Sequence, residues 1–503
     1  MNDGSSSGKL AESLRGELHR YSPGDKLPSS RDLVERFGVS PVTVSRALAA
    51  LAAEGLVVTR PGAGSYRARR APGGPRAVDT SWQQVALTAE EQYGEPAPRV
   101  VDASGVLASL SVPPPGVIAF NGGYLHDSLR PGHALGAALA RAARRPGAWD
   151  MPPPEGLTAL RAWFARETGG PGGALGPANV LITAGGQAAL TTALRALAPP
   201  GSPVLVESPT YPGAMAVARA AGLRPVPVPV DDDGVRPDLL ADAFAATGAR
   251  VFFCQPLFQN PTGAVLAADR RRRITEITHA AGAFLVEDDF ARRLGHGAEP
   301  PPPLVADDPY GTVVHVTSLT KPTSPSLRVG ALVARGPVME RLRAIQIVES
   351  FFVPRPLQEA TLELVGAPAW PRHLRAVGAG LADRRDAMMV ALHRELPALA
   401  AFLRAPAGGY QLWLRLPDGT DESALAAASL RAGVAVAPGR PYFAAEAPAP
   451  YVRLSFADTS GTEEIAEGVR RFAAACAETA VDGREGRGPA RGNSVPRSAT
   501  AAP

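Results

Sequence analysis

Between about residues 101 and 478, short β-branched runs alternate with longer stretches rich in Ala, Leu and Arg. This alternation constrains the chain more than any other feature. Val204–Val206, Val251–Phe253, Phe284–Val286 and Val313–Val316 are apolar runs of strand length separated by segments of helix length. Runs apolar throughout suit strands buried on both faces, and helical connections let such strands lie parallel. The expected class is α/β with a mostly parallel sheet. The chain has 503 residues, 45% of them apolar, enough to bury a large core. It lacks a run of about 18 uncharged apolar residues, so no membrane span is expected. The opening MNDGSSSGKL has no apolar stretch of the secretory-signal kind. Only Cys254 and Cys476 are present. That suits a reducing cytoplasm and gives no basis for a disulfide framework or a zinc site, and no metal is expected.

Residues 1–70 read as a small helical unit ending in a hairpin. They carry eleven Lys and Arg against seven Asp and Glu, and this surplus equals the net +4 of the whole chain. Positive charge gathered in one segment is the footprint of a phosphate-backbone partner, although such a surplus is also common on a solvated face. Residues 71–100, with APGGPR at 71–76 and GEPAP at 94–98, suit a linker in which 81–92 has the pattern of one helix. Residues 479–503 are rich in Gly, Arg, Ser, Ala and Pro and are expected to be disordered.

Within the first unit, a helix should begin near Ser29–Ser30, with Ser as N-cap, Arg31 and Asp32 in its first turn, and Leu33, Val34 and Phe37 facing inward. Gly38 breaks it. Ser40 then caps a second helix with Pro41 at its first position. This helix, about 41–54, buries Val44, Leu48 and Leu51 and turns Thr43, Ser45 and Arg46 the other way. Leu56–Thr59, a glycine turn over 60–64 and Ser65–Arg67 read as a wing, with Arg60 and Arg67 flanking its tip. A structural three-helix cap would share much of this pattern, but a wing in this place favours double-stranded DNA as the partner. The segment closely resembles the winged helix-turn-helix of the GntR regulator family over about residues 8–68. The resemblance implies that Ser29, Arg31, Ser40, Thr43, Ser45 and Arg46 approach DNA, that Gly62 and Gly64 of the wing approach the minor groove, and that most contacts are to phosphate.

In the larger region several motifs follow strand-like runs. Lys321 lies in VTSLTKPTSPSLRVG, behind an apolar run. An amine there acts as a nucleophile once burial and nearby cations depress its pKa. Arg328 can pair with a phosphate dianion, and Ser318 and Thr320 add hydroxyls. Gly185, Gly186 and Gln187 open a helix whose amides suit a phosphate, although glycines before helices are often only caps. Tyr211, in SPTYPGA, offers a stacking ring or is simply a half-buried turn aromatic. Asn260, in QNPTG, is a donor or an Asx turn. Asp288 sits at the end of FLVEDDF, where α/β folds place ligand-binding groups. Arg453, inside an apolar run, needs an anionic partner, either a bound carboxylate or a structural acid.

Together these motifs resemble the fold-type I pyridoxal-phosphate enzymes of the class I/II aminotransferase group, over about residues 101–478. With the winged helix in front, the chain resembles the MocR branch of the GntR regulators. The resemblance implies a mostly parallel large lobe with a smaller C-terminal lobe, pyridoxal 5'-phosphate as cofactor, a homodimer, and a cytoplasmic location. It further implies Lys321 as the catalytic lysine that carries the cofactor aldehyde and Asp288 on the pyridine nitrogen. Asn260 falls on the ring oxygen and Tyr211 stacks on the ring. Gly185, Gly186, Gln187, Ser318 and Arg328 surround the phosphate, and Arg453 takes a substrate carboxylate. Three departures stand out. Phe290 replaces a tyrosine that would donate to the ring oxygen, Ala291-Arg292-Arg293 replaces an acidic run, and Met151 stands near the place of a tyrosine that reaches the partner subunit. The expected function is a transcription regulator that senses an amine, an amino acid or pyridoxal phosphate. A transaminase carrying a DNA-binding appendage is the alternative, a non-enzymatic protein that has lost the cofactor is a third reading to which Phe290 and Met151 point, and turnover is left open.

Overall fold

The computed structural model describes residues 6–60, 63–68, 103–169, 173 and 175–485, the side chains of 109 and 480–485 excepted. The expected linker, Gly62, and residues 486–503 lie outside these. Two compact units are present, one within residues 1–95 and one within 96–503.

The first unit has three helices and a hairpin: α1 (Ser6–Glu17), α2 (Ser30–Phe37), α3 (Pro41–Ala53), β1 (Val57–Arg60) and β2 (Gly64–Arg67). Both helix starts are fixed by serine. Ser29 and Asp32 form a reciprocal capping box, and Ser40 accepts from the Thr43 amide ahead of Pro41; each cap stabilises its helix by about 1 kcal/mol. Gly38 ends α2 at φ +62°, a conformation that favours glycine. Leu10, Leu14 and Leu18 pack on Leu33, Val44, Leu48, Leu51 and Val57. The hairpin pairs Val57 with Arg67 and Arg60 with Gly64, and Lys26 bridges to Tyr66 on its other edge. This corrects one expectation. Arg60 stands beside the turn, over the Tyr66 ring, whereas Arg67 lies at the base of the wing and donates to the Tyr21 carbonyl. Antiparallel register puts the two arginines at opposite ends of the ladder.

The second unit is built on an eight-stranded sheet. Its strands in chain order, after the short β3 (Ile118–Ala119), are β4 (Val180–Thr183), β5 (Pro203–Ser208), β6 (Arg224–Asp231), β7 (Gly234–Val235), β8 (Val251–Cys254), β9 (Phe284–Asp289), β10 (Val313–Ser318) and β11 (Gly330–Val333). Their order across the sheet is β4-β11-β10-β9-β8-β5-β6-β7. β10, β9, β8, β5 and β6 are mutually parallel, while β11 runs antiparallel to both β10 and β4. β4 therefore points the same way as β10. Every anticipated apolar run is a strand with both faces covered, by one core that includes Leu205, Phe252 and Leu285 and another that includes Val206, Phe253 and Val286. A third core gathers Phe120, Leu381, Leu412, Leu454, Phe456 and Phe472 around a small antiparallel sheet. That sheet is β12 (Gln411–Arg415), β15 (Tyr451–Ser455) and β14 (Ala437–Pro438), with β13 (Val434–Ala435) pairing instead with β3. This is the smaller lobe. Its last helix, Thr462–Glu485, passes the expected boundary at 478. Among the described residues no helix is long and apolar enough to cross a membrane.

Candidate functional site

The carboxyl ends of β4, β5, β8, β9 and β10 share one edge of the sheet, and β11, running the other way, begins there. Six segments thus deliver Gly186 and Gln187, Tyr211, Asn260, Asp288, Ser318 with Lys321, and Arg328 to a single cavity. Arg453 joins them from β15 through its bond to Asn260 Oδ1 at 3.2 Å.

Lys321 is half-buried. Its Nζ donates to the Gly123 carbonyl at 2.6 Å and lies 4.2 Å from the Tyr124 ring centroid. Burial pushes its pKa down to about 8; Tyr124 and Asp288 oppose the shift, while Arg453 and Arg328 add to it. Asp288 is pushed up to about 6, first by burial and also by Asp289; the Gln255 amide, donating at 2.7 Å, and Lys321 pull it back. Gln255 further holds the neighbourhood together, since its backbone amide donates to Glu207 at 2.9 Å and its side-chain oxygen accepts from the Asn260 amide at 3.2 Å. Burial pushes Glu207 up to about 7.

Gly185 adopts φ +85° at the start of the helix Gly186–Leu197, and a Cβ there would come within 2.8 Å of Arg328 Nη2. The glycine leaves room for a guanidinium beside amides at a helix N-terminus, which together suit a phosphate. Arg328 is itself held at φ +49° and donates to the Ala184 carbonyl at 2.7 Å. Ser318 Oγ donates to Thr320 Oγ1 at 3.0 Å. The Tyr211 hydroxyl donates to Gln187 Oε1 at 3.1 Å.

Arg453 is 2% exposed. Its guanidinium donates to the carbonyls of Asn121 (2.6 Å) and Gly122 (2.9 Å) and to Asn260 Oδ1, all neutral oxygens, and its Nε is buried without a partner among the described residues. A buried cation lacking an acid fits a ligand carboxylate. Amine, acid, phosphate cradle and carboxylate clamp are the donor set that a phosphorylated aromatic aldehyde with an amino-acid partner requires.

After Asp288, Phe290 lines this cavity, whereas Arg292 and Arg293 turn away from it. Arg292 pairs with Asp289 and donates to the Pro301 carbonyl, and Arg293 covers Trp163 at 5.2 Å. Glu287, Asp289 and His315 lie together on the other face of β9, where Glu287 takes a 2.9 Å contact from His315 Nδ1 and the Leu304 amide at 2.8 Å. Met151 is 76% exposed. Sequence reasoning missed Gln255, Tyr124 and Tyr410, which all line the cavity.

In the N-terminal unit Ser29, Arg31, Ser40, Ser45 and Arg46 are exposed and Thr43 is half-buried. The hydroxyls of Ser40 and Thr43 meet at 2.8 Å. Val42, 61% exposed, shares the start of α3 with them. Gly64 sits at φ +105° at the hairpin turn.

Residues 121–472 match the aminotransferase class I and II family, and residues 7–66 match bacterial regulatory proteins of the gntR family. The chain is 33% identical over 392 residues to 2-aminoadipate transaminase of Thermus thermophilus, covering 77% of this chain and 96% of that one. It is 29% identical over 485 residues to the HTH-type transcriptional regulator TauR of Rhodobacter capsulatus, covering 91% and 93%. Among solved structures, the α-aminoadipate aminotransferase LysN of Thermus thermophilus, complexed with N-(5'-phosphopyridoxyl)-L-leucine, superposes with a TM-score of 0.72 at 31% identity, over 80% of this chain and 99% of that one.

Proposed function

The chain belongs to the aminotransferase class I and II family and joins that domain to a gntR-family helix-turn-helix, and from this premise we propose that it is a DNA-binding transcription regulator of MocR type whose second domain senses an amine, an amino acid or pyridoxal phosphate. Residues 1–70 bind DNA, 71–100 link, and 101–478 hold pyridoxal 5'-phosphate and its ligand. The protein acts in the cytoplasm as a homodimer, which would offer two winged helices to paired half-sites. Regulator-named relatives such as TauR match along both domains, whereas the transaminase relatives account only for the second.

The observation that carries the sensing role is the buried guanidinium of Arg453, without a carboxylate partner among the described residues, bonded to Asn260 at the wall of the cavity that holds the depressed amine of Lys321. Pyridoxal phosphate supplies an aldehyde for an amine and an electron-withdrawing ring. Lys321 would hold the aldehyde, its lowered pKa keeping a fraction of the amine neutral near pH 7. Asp288 would face the pyridine nitrogen, Asn260 the ring oxygen and Tyr211 the ring face. Gly185, Gly186, Gln187, Ser318 and Arg328 would hold the phosphate, and Arg453 would orient an incoming carboxylate. Ligand binding then favours one arrangement of the two lobes, and the DNA-binding unit responds to that choice. At the DNA, Arg31 and Arg46 would meet phosphate and base edges, with Ser29, Ser40, Thr43, Ser45 and the wing glycines Gly62 and Gly64 setting position.

The test is fluorescence anisotropy of the full chain on DNA from upstream of its own gene, with pyridoxal phosphate and a panel of amines and amino acids. An amino acid that changes DNA affinity in the parent but not in Lys321→Ala is the expected result. Steady transamination with no ligand effect on DNA binding would overturn the sensing role in favour of an enzyme.

A further inference from the structure

Phe290 brings a ring without a hydroxyl to the cavity edge just beyond Asp288. A hydroxyl arrives instead from the smaller lobe. Tyr410 stands directly before β12, is 3% exposed, and meets Phe290 edge-on with ring centroids 6.0 Å apart at 73°. The preceding turn fixes its direction. Gly409 is at φ +78°, and a Cβ on Gly408 would strike the Phe258 ring at 2.2 Å. Only glycine allows the chain to pass there and present the next side chain inward.

The phenol reaches the same point as the lysine. A Cβ on Gly123 would lie 3.0 Å from Tyr410 Oη and 3.3 Å from Lys321 Nζ, and the amine is 5.3 Å from the Tyr410 ring centroid. The charged groups acting on the phenol are Arg453 and Asp288. Tyr124, Tyr211 and Tyr442 complete the surroundings. Burial pushes the phenol pKa up, so it stays protonated and able to donate. Phe290 contributes by packing: its face holds the Tyr410 ring in place.

We propose that Tyr410 is a positioning residue for the group held on Lys321, donating from the smaller lobe the hydrogen bond that Phe290 cannot donate. This rests on the cofactor reading above. A donor at this place stabilises negative charge on the bound group, so its removal makes deprotonation harder. It also makes the strength of that bond depend on where the smaller lobe stands.

The experiment is a pH titration of the visible absorbance of the full chain loaded with pyridoxal phosphate, comparing parent, Tyr410→Phe, Phe290→Tyr and the double variant. Tyr410→Phe is expected to keep the band and move its midpoint up by about one pH unit, the size of one lost charge-assisted hydrogen bond. The double variant should return most of the shift, and Phe290→Tyr alone should move the midpoint little. An unchanged midpoint in Tyr410→Phe, with the band present, overturns the proposal and leaves the cofactor reading intact. If Tyr410→Phe does not fold, Phe290→Tyr still decides: a downward move of about one unit would mean that no donor was there before. A parent without any band lost in Lys321→Ala removes the cofactor reading, and the proposal with it.

Discussion

Replacing Lys321 by methionine should make the cofactor-free protein more stable. Burial lowers the amine from 10.5 to about 8, and at about 1.4 kcal/mol per pH unit this corresponds to a cost of about 3 kcal/mol at neutral pH. Methionine fills similar space without charge, but loses the 2.6 Å bond to the Gly123 carbonyl, which offsets about 1 kcal/mol. The net gain is about 2 kcal/mol. Its pH dependence identifies the cause. The unfolded chain binds a proton that the folded chain has released between pH 8 and 10.5, so the parent regains stability as pH rises through this window. The advantage of Lys321→Met is therefore full below pH 8, gone at about pH 9.5, and replaced above 10.5 by a deficit of about 1 kcal/mol from the lost hydrogen bond. Urea unfolding of both proteins at about pH 7 and about pH 9.5 measures it, with a difference between the two conditions of about 2 kcal/mol. A variant less stable than the parent by the same amount at both values would refute the reasoning, because the lysine would then be a packing element and carry no desolvation cost. Adding pyridoxal phosphate should reverse the order, since only the parent can hold the aldehyde.

Arg46→Ala should weaken DNA binding at fixed salt and reduce the salt slope by about one if the side chain meets a phosphate; an unchanged anisotropy titration counts against α3 as the DNA-facing helix. Gly185→Ala forces a Cβ to 2.8 Å from Arg328 Nη2 at a positive φ, and should lower pyridoxal-phosphate affinity about tenfold or more, read by absorbance titration. Gln255→Leu removes the bond that holds the Asp288 pKa down. A raised carboxyl loses folding stability as pH climbs from its ordinary value through its folded one, so this loss should extend to pH values above about 6 in the variant's unfolding profile. Arg453→Met should abolish the response to amino acids while sparing amines that carry no carboxylate, as judged by spectral shifts across a ligand panel.

Residues beside a strand end were readable one by one. Lys321, Asp288, Asn260 and Arg328 each stand at a break in an apolar run, and the parallel sheet sends those breaks to one edge. Tyr410 carried no such mark. Tyr410 enters the cavity only because β12 pairs with β15 in the register that sets Trp413 against Arg453, and register between distant strands is not written in either strand. Gln255 follows β8 like other site residues, but a lone glutamine has no chemistry of its own until Asp288 lies beside it. Arg67 was misplaced because counting from the turn ignores which rung of the ladder each residue takes. The helix at Ser6–Glu17 did have a signal, Leu10, Leu14 and Leu18 at a four-residue spacing, which the stronger pattern beyond Leu27 obscured.

Three consecutive peptide carbonyls, those of Asn121, Gly122 and Gly123, accept from Arg453 and Lys321. The two cations proposed to grip a ligand thus share one short stretch of main chain as acceptor. A ligand that takes a hydrogen bond from either cation competes with that stretch, so its affinity is a difference between two sets of bonds. A carbonyl released in that exchange needs water or a new donor, which ties the backbone between β3 and the helix Gly132–Ala142 to the state of the site.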